Sequence, residues 1–163
     1  MIVIAVDVGI QVCGYAVCAI KSANAHIVKE GQIKPSRSAT LPQKLDCIIE
    51  KLELEVKEYK PSAIIVEKLY SHHRHPTTMG VLAQVKGVVA LFTYRWGLDY
   101  FEFSSTRARK SFLGRGNVNS TQVKKMAENI TGQQFESVHT ADAYSLAVAF
   151  AHEQKLGRLL GKK

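Results

Sequence analysis

Three acidic residues lie next to strongly apolar stretches of the chain, where a buried backbone tolerates charge least. Asp7 closes the first apolar run, Glu67 closes a second, and Asp142 opens a third, three residues after His139. Carboxylates are rarely buried unless they are paired or bind a metal ion. This placement favours a common chemical purpose for the four side chains.

The residue types point to a hard divalent cation. Asp7 and Glu67 would meet if their strands were neighbours, and His139 and Asp142 would project from one helix face because three residues separate them. Oxygen-rich ligands with one imidazole suit Mg²⁺ or Mn²⁺ better than a structural zinc ion. Two such ions about 4 Å apart can activate water and stabilise a leaving oxygen. The pattern therefore predicts a metal-dependent phosphodiesterase.

Each of these residues also has an ordinary structural interpretation. Asp7 precedes a glycine by two positions and could be a turn residue, and Glu67, followed by a lysine, could be an exposed strand end. Asp142 could be favoured by the dipole of a helix N-terminus, and His139 could be a polar surface residue. The joint placement of the four, rather than any one of them, favours a site.

The elements that must position these residues follow from the hydrophobic periodicity. Apolar runs at 2–6, 15–20 and 26–33, separated by turns, predict a three-stranded antiparallel meander. Helical spacing then predicts a helix that Pro61 ends, and the apolar run 63–67 is typical of a parallel strand buried on both faces.

The rest of the chain continues with helices and one more strand. Apolar spacing predicts a long helix over 77–96, a strand over 99–103 and helices over 106–113, 120–131 and 139–156. We see no repeat or linker, so we predict a single domain over the whole chain. Its fold class is α/β, with a mixed five-stranded sheet flanked by helices.

The charge of the chain favours a polyanionic partner. The 163 residues include 22 Lys and Arg against 14 Asp and Glu, which gives a net charge of +8. Nucleic acid is the first candidate and an anionic membrane surface the second, although a merely cationic enzyme would look the same. A mean hydropathy of −0.06 is ordinary for a globular protein.

Cysteine usage and the apolar segments bear on the compartment. The three cysteines show no metal-binding spacing, which points to a reducing compartment. No apolar run approaches the roughly 20 residues of a membrane span, and the N-terminus lacks a signal-like segment. We predict a cytoplasmic protein without membrane contact, near the nucleoid in a bacterium or in the host cytoplasm for a phage.

Three short motifs resemble a known family. Residues 4–9, with 14–17 following, resemble the opening strands of RuvC-type Holliday junction resolvases. The strand end at 64–67 looks like their second acidic position, and 139–143 is similar to their C-terminal motif of Asp or His, two small residues and Asp-Ala. The resemblance covers nearly the whole chain and implies the RNase H-like fold of that family.

The resemblance also implies a site and an activity. Asp7, Glu67, His139 and Asp142 would be the catalytic residues and the ligands of two divalent ions, Mg²⁺ or alternatively Mn²⁺. The protein would be a homodimer that resolves four-way (Holliday) DNA junctions by paired symmetric nicks during recombination. Apart from the resemblance, the helix 77–96 carries a stripe of small residues, Gly80, Ala83, Gly87 and Ala90, which predicts core packing or, less often, a subunit interface.

Several further residues are assigned to DNA by the resemblance or by the basic surface. Tyr70 matches an aromatic position that stacks on a junction base in the family, or else packs on the helix below its strand. Arg109 falls where the family carries a basic residue near the scissile phosphate, before a glycine turn at 114–116. The predicted DNA-binding residues are Tyr70, Arg74, Arg107, Arg109, Lys110, Arg115 and Lys124.

Two positions depart from the family pattern. Val8 stands where a proline is usual, and Ser120 stands where a second basic residue is expected, with Lys124 and Lys125 nearby as compensation. These departures bear on affinity and cleavage preference more than on metal binding.

Three other functions can be weighed against junction resolution at this point. An RNase H-like nuclease for flaps, forks or RNA–DNA hybrids would use the same acidic residues. An ATP-binding module is discounted because 163 residues leave no room for the second domain that it needs. A catalytically inactive junction-binding protein is disfavoured by the intact acidic set.

Overall fold

A five-stranded mixed sheet forms the centre of the protein, as predicted. The computed structural model describes residues 1–69 and 76–159. The strands are β1 (Ile2–Asp7), β2 (Cys13–Lys21), β3 (Asn24–Ile33), β4 (Ala63–Glu67) and β5 (Asp99–Phe103). Their order is β3-β2-β1-β4-β5; β1 to β3 pair antiparallel, whereas β4 pairs parallel with both β1 and β5.

Helices cover both faces of the sheet. They are α1 (Leu41–Tyr59), α2 (Pro76–Arg95), α3 (Ser105–Leu113), α4 (Ser120–Thr131) and α5 (Val138–Leu159). A capping box begins α4: the Asn119 side chain accepts a hydrogen bond from the Gln122 backbone amide, and the Gln122 side chain accepts one from the Asn119 backbone amide. None of the described helices is both long enough and apolar enough to cross a membrane.

Strand alternation divides the interior into two apolar clusters. Val3 and Ala5 of β1 belong to the cluster that packs against α3, α4 and α5, whereas Ile4 and Val6 face α1 and α2. The strand β4 follows the same rule, with Ala63 and Ile65 on the α5 side. Side chains alternate along a strand with a period of two. Val6 of β1 and Val66 of β4 face α1, so the next residue of each strand points toward α5.

A buried carboxylate fixes α1 to the antiparallel strands. Glu55 of α1 is fully buried, accepts a 2.8 Å hydrogen bond from the Tyr15 hydroxyl, and forms ion pairs with Lys51 at 2.8 Å and Lys29 at 3.1 Å. Burial alone would raise the pKa of the Glu55 carboxyl, but these three partners outweigh burial and hold that pKa below its usual value. Gly31 is required beneath Tyr15, since a Cβ there would lie 2.7 Å from the Tyr15 hydroxyl.

The small-residue stripe of α2 differs from the expectation of core packing. Gly80, Ala83 and Gly87 are exposed, whereas Ala90, the fourth residue of the stripe, is partly buried. A Cβ added to either glycine would meet nothing within 4 Å. The core contacts of α2 come instead from Leu82, Val85 and other large side chains on the opposite face. Core packing is therefore the wrong interpretation for this stripe.

We expect Glu55→Gln to lower the free energy of unfolding at pH 7 by about 1–3 kcal/mol, because a neutral amide removes the buried negative charge that pairs with Lys51 and Lys29. The folded-state pKa of Glu55 is lowered, so its stabilisation is present above the unfolded value of about 4.5 and disappears as pH falls through the folded value. Urea unfolding across pH 7 to 3 should show the two proteins converging in acid.

The matched control is Glu58→Gln, which removes an exposed carboxylate 3.5 Å from the same Lys29. This control should reduce stability by only a small fraction of the reduction caused by Glu55→Gln. A stability gap at Glu55 that stays constant down to pH 3 would show that packing, not charge, holds α1 in place.

Candidate active site

The two strand-end carboxylates lie side by side. In the parallel pair, Val6 is in register with Val66, so Asp7 and Glu67 follow at the same edge of the sheet. Both residues come one position after an α1-side valine, and alternation therefore turns them toward α5. The expectation that Asp7 and Glu67 end neighbouring strands is confirmed.

The first turn of α5 reaches this edge because Gly14 leaves room for it. Gly14 is paired with Asp7 across β1 and β2, and a Cβ on Gly14 would lie 2.2 Å from the carbonyl carbon of His139. Any side chain at this position would push α5 away from the strand ends. The sequence shows Gly14 only as a turn residue, because a close approach between elements 125 positions apart along the chain leaves no local signal.

Asp7 and His139 contact each other directly. The Oδ2 atom of Asp7 lies 2.8 Å from Nδ1 of His139. The hydrogen bond to Asp7 raises the pKa of the His139 imidazole, against the opposing effect of partial burial, and the negative charge of Asp142 acts in the same direction as Asp7. The carboxylate is mostly buried and the imidazole is half-exposed, with side-chain exposures of 14% and 45%.

Asp142 is balanced by an arginine that also joins two helices. Arg109 of α3 donates from Nη1 to the Val118 carbonyl at 2.7 Å and from Nη2 to the Ser120 hydroxyl at 2.9 Å. The same Nη2 lies 3.4 Å from Oδ1 of Asp142, which is an ion pair at the long limit of a hydrogen bond.

Burial and neighbouring charge act against each other at Asp142. Burial raises the pKa of the Asp142 carboxyl above its ordinary value, and the charge of Asp7 raises it further, whereas Ser120 and Arg109 lower it. A partly buried carboxyl group whose pKa is raised by burial and by a neighbouring carboxylate, as that of Asp142 is, is typical of a site that gains from a cation.

The acidic groups enclose a very small space. Glu67, Arg109 and Asp142 line a cavity of about 10 Å³ together with Ser145 and Leu146, roughly the room for one water molecule. Within residues 1–69 and 76–159, no three His, Cys, Asp or Glu side chains are grouped closely enough to share one metal ion. Asp7 is engaged by His139 and Asp142 by Arg109, so their carboxylates are held by protein partners.

The predicted DNA-binding residues divide into three groups. Tyr70 and Arg74 lie outside the described residues. Arg109 is brought to the acidic residues, with 23% of its side chain exposed. The remaining residues lie on α3, α4 and the turn between them, and these are Arg107, Lys110, Arg115 and Lys124.

Two of those cations already have protein partners. Arg107 pairs with Glu153 at 3.0 Å, and Lys124 lies 3.7 Å from Glu128 on the same helix. The Arg107 pair is exposed, contributes little and exchanges readily for another anion. The Lys124 pair is partly buried, but its 3.7 Å separation is near the long limit for an ion pair. Lys110 and Arg115 are exposed.

The glycine turn between α3 and α4 serves the backbone. Gly114 ends α3 with a left-handed φ of 76°, and a Cβ on Gly116 would lie 2.6 Å from Cγ2 of Thr106. The turn therefore folds back against the start of α3 and delivers Ser120 to Arg109. In the sequence, Ser120 is notable only because it stands where the family pattern has a basic residue. In the structure, its hydroxyl belongs to the hydrogen-bonded group around Asp142.

Sequence comparisons identify relatives over nearly the full length. The model of the family described as crossover junction endodeoxyribonuclease RuvC matches residues 3–152. Proteins of that name from Brachyspira hyodysenteriae and Anaeromyxobacter sp. strain K are 29% and 30% identical to this chain. These matches cover 96% and 91% of this chain, and 97% and 79% of the two relatives.

Solved structures share the fold at lower identity. The RuvC structure from Thermus thermophilus superposes with a TM-score of 0.81 at 20% identity, covering 96% of this chain and 97% of the other. The same protein in complex with a Holliday junction substrate gives 0.83 at 19% identity, with the same coverage. The yeast mitochondrial Holliday junction resolvase Ydc2 gives 0.68 at 14% identity, covering 96% of this chain and 80% of the other.

These likenesses confirm the RNase H-like fold that the family resemblance implies, with its mixed five-stranded sheet. They do not favour a nuclease directed at flaps, forks or hybrids. With a family model that spans 3–152 and relatives that align over nearly their whole length, the chain belongs to the RuvC family of crossover junction endodeoxyribonucleases.

Proposed function

We propose that this protein is a metal-dependent endonuclease that resolves four-way DNA junctions by paired symmetric nicks during recombination. The observation that carries the proposal is the meeting of Asp7, Glu67 and the first turn of α5 at one edge of the sheet. A net charge of +8 supports a polyanionic substrate, and the family relatives supply the class of reaction.

The donor chemistry fits a hard divalent cation. Nucleases of this family are metal-dependent in general. Asp7, Glu67 and Asp142 supply carboxylate oxygens and His139 one imidazole, the set that Mg²⁺ and Mn²⁺ accept. We propose these four residues as the catalytic ligands of two ions, Mg²⁺ or alternatively Mn²⁺. When bound, such ions supply activation of the attacking water and stabilisation of the leaving 3′-oxygen.

The protein's own side chains prepare this site. The 2.8 Å contact between Asp7 and His139 orients the carboxylate and the ring against each other. Arg109 is fixed by Val118 and Ser120 through stronger contacts than the 3.4 Å approach to Asp142. Val118 and Ser120 therefore hold the guanidinium group between α3 and α4 beside Asp142, where its positive charge would stabilise a substrate phosphate bound at the acidic residues.

The basic residues around α3 and α4 would hold the DNA. Lys110 and Arg115 are exposed, and Arg107 and Lys124 would exchange weak protein pairs for phosphates. We also retain Tyr70, on the family resemblance, as a residue that stacks on a junction base. Arg74 is retained as a phosphate contact because the sequence 72–75 consists of hydrogen-bond donors.

A dimer would place two such sites on one junction. The exposed face of α2 carries Gly80, Ala83 and Gly87, followed by Leu91 and Tyr94, whose exposed fractions are 50% and 82%. These residues recur every three or four positions and so lie along one side of the helix. Small residues allow a second helix to approach closely, and large exposed apolar residues favour burial. We propose this α2 face as the homodimer surface.

We further propose that the chain acts as one nuclease domain in the cytoplasm. All five strands of the described residues lie in a single sheet, and both apolar clusters pack on it. In a bacterium such a protein would lie near the nucleoid, and a phage-encoded protein would act in the host cytoplasm.

The proposed function predicts symmetric nicks in an end-labelled synthetic four-way junction when Mg²⁺ is present. Linear duplex, replication fork and RNA–DNA hybrid should be cut far less, and EDTA should stop cleavage until Mg²⁺ is restored. The measurement is the position and rate of nicking on each strand. Equal or faster cutting of the fork or hybrid would reject the junction assignment while leaving the acidic site in place.

Asp7→Asn should slow junction cleavage more than about 100-fold, since even loss of a group that only orients a metal ligand commonly costs 10- to 100-fold. Junction affinity measured in EDTA should stay within a few-fold of wild type, because binding depends on the basic surface. Asp46→Asn, an exposed acid on α1 with the same change of charge, is the control and should leave cleavage unchanged. Wild-type cleavage by Asp7→Asn would remove Asp7 from the catalytic set.

Leu91→Glu should shift the protein from dimer to monomer in sedimentation equilibrium, because it places a charge in the proposed apolar interface. Paired nicking should fall more than single-strand nicking. Ile130→Glu on α4 is the matched control, since Ile130 is an exposed aliphatic residue with a 55% exposed fraction. A stable dimer of Leu91→Glu would show that the subunits meet elsewhere.

A further inference from the structure

A basic groove opens beside the loop that follows Asp7. Its volume is about 680 Å³, and none of the residues assigned above to catalysis or DNA lines it. We call it the basic groove, and its lining residues are Gln11, Val12, Lys34, Pro35, Arg37 and Lys44. Half of these six residues are cations, and none is acidic.

The cations of the groove are available to an external anion. Lys34 approaches Glu136 at 3.8 Å, but both side chains are about half exposed, so this pair contributes little. Among the described residues, no carboxylate lies within 4 Å of the charged groups of Arg37 or Lys44. The first turn of α1, which carries Lys44, contains no acidic residue.

The segment that carries these cations is held in place before any ligand arrives. Pro35 is buried, and the following turn is closed by a 3.1 Å hydrogen bond from the Ala39 backbone to Ser36. Thr40 then forms a capping box with Gln43 at the start of α1. Preorganised cations lose less conformational entropy on binding than cations on a flexible tail.

Sheet register places the groove at the same edge as the acidic site. Asp7 pairs with Gly14, and Gly14 pairs with Gln32, so β3 ends at Ile33 on the edge where β1 ends. Lys34 follows directly. Two strand spacings, about 10 Å in all, therefore separate the end of β3 from the end of β1, a distance that a nucleic-acid backbone crosses within a few nucleotides.

The loop between site and groove is itself fixed. The Gly9 backbone amide donates to Cys13 Sγ at 3.3 Å, and the Cys13 thiol donates to the Gly9 carbonyl at 2.7 Å. A Cβ on Gly9 would lie 2.2 Å from the Val12 carbonyl oxygen, so the loop is tightly closed. The position of Gln11 and Val12 in the groove is thereby tied to the position of Asp7.

We propose that the basic groove holds the sugar–phosphate backbone of one duplex arm of the branched DNA where that arm leaves the active site. In that position Lys34, Arg37 and Lys44 would neutralise backbone phosphates, contacts that fix the DNA in place and carry no sequence information. This inference rests on the proposed function for the identity of the occupant. It adds a second DNA-binding surface, on the β3 side of Asp7, to the α3–α4 surface on the other side.

The test compares two triple variants of equal charge. Lys34→Gln, Arg37→Gln and Lys44→Gln together alter the groove. Lys21→Gln, Lys60→Gln and Lys155→Gln together form the control. Both lower the net charge from +8 by three, to +5. The control residues lie at the opposite edge of the sheet: Lys21 ends β2, Lys60 precedes β4, and Lys155 lines a cavity with Met1.

Binding is measured in EDTA on a four-way junction and a linear duplex over a range of salt concentrations. We expect the groove variant to bind the junction at least about 10-fold more weakly. The slope of log affinity against log salt concentration should fall by about one for each phosphate that the groove no longer neutralises. The control variant should remain near wild type. Equal weakening by the two variants would show only a long-range effect of net charge and would overturn the proposal.

Cleavage at saturating protein separates binding from chemistry. The groove variant keeps all four acidic-site residues, so its maximal cleavage rate should match that of wild type while the protein concentration for half-maximal rate rises. A lowered maximal rate with unchanged affinity would overturn the groove as a binding surface. Thermal unfolding midpoints of both variants establish that the fold is retained.

Failure of the proposed function would give a different result. A wild-type protein that shows no preference for junctions, with a groove variant that alone binds duplex more weakly, would reject the junction assignment and keep the groove. If the wild-type protein resolves junctions but the groove variant behaves like the control variant, the junction assignment is kept and the groove is rejected as a DNA-binding surface.

Discussion

The close approach between Gly14 and the first turn of α5 is the constraint on which the candidate site depends. The parallel pairing of β1 with β4 places Asp7 and Glu67 side by side, but that pair alone makes only a two-carboxylate edge. His139 and Asp142 join it because α5 lies against a backbone position that has no side chain. The missing Cβ of Gly14 thus decides whether the first turn of α5 can reach the two strand ends.

Acidic side chains that lie close together in a partly buried place repel one another and need hydrogen-bond donors or positive charge beside them. The structure supplies such groups from two helices. His139 contacts Asp7 from α5 itself, and Arg109 approaches Asp142 from α3. Arg109 is in turn anchored through Ser120 and Val118 by the Gly114 turn. The helices α3 and α4 are therefore joined to the site by charge as well as by apolar packing. The basic groove on the other side of Asp7 extends positive charge along the same sheet edge.

Much of the fold could be predicted because its signals are local. The alternation that buries Val3 and Ala5 on one face and Ile4 and Val6 on the other depends only on the residues of β1. The capping box at Asn119 likewise involves residues within four positions of one another. Element ends were less certain: β2 begins at Cys13 rather than 15, since pairing with β1 extends it. The exposed stripe of α2 was misassigned because small residues suit both a core and a surface.

The order of residues alone shows which side chains could do chemistry, that Asp7 and Glu67 each end an apolar run, and that the chain is basic. The folded chain is needed to show that β1 and β4 are neighbours, that Gly14 admits α5, that Ser120 and Arg109 lie beside Asp142, and that Lys34, Arg37 and Lys44 line one groove. Those relationships join residues far apart along the chain, and their energies arise from distances that exist only after folding.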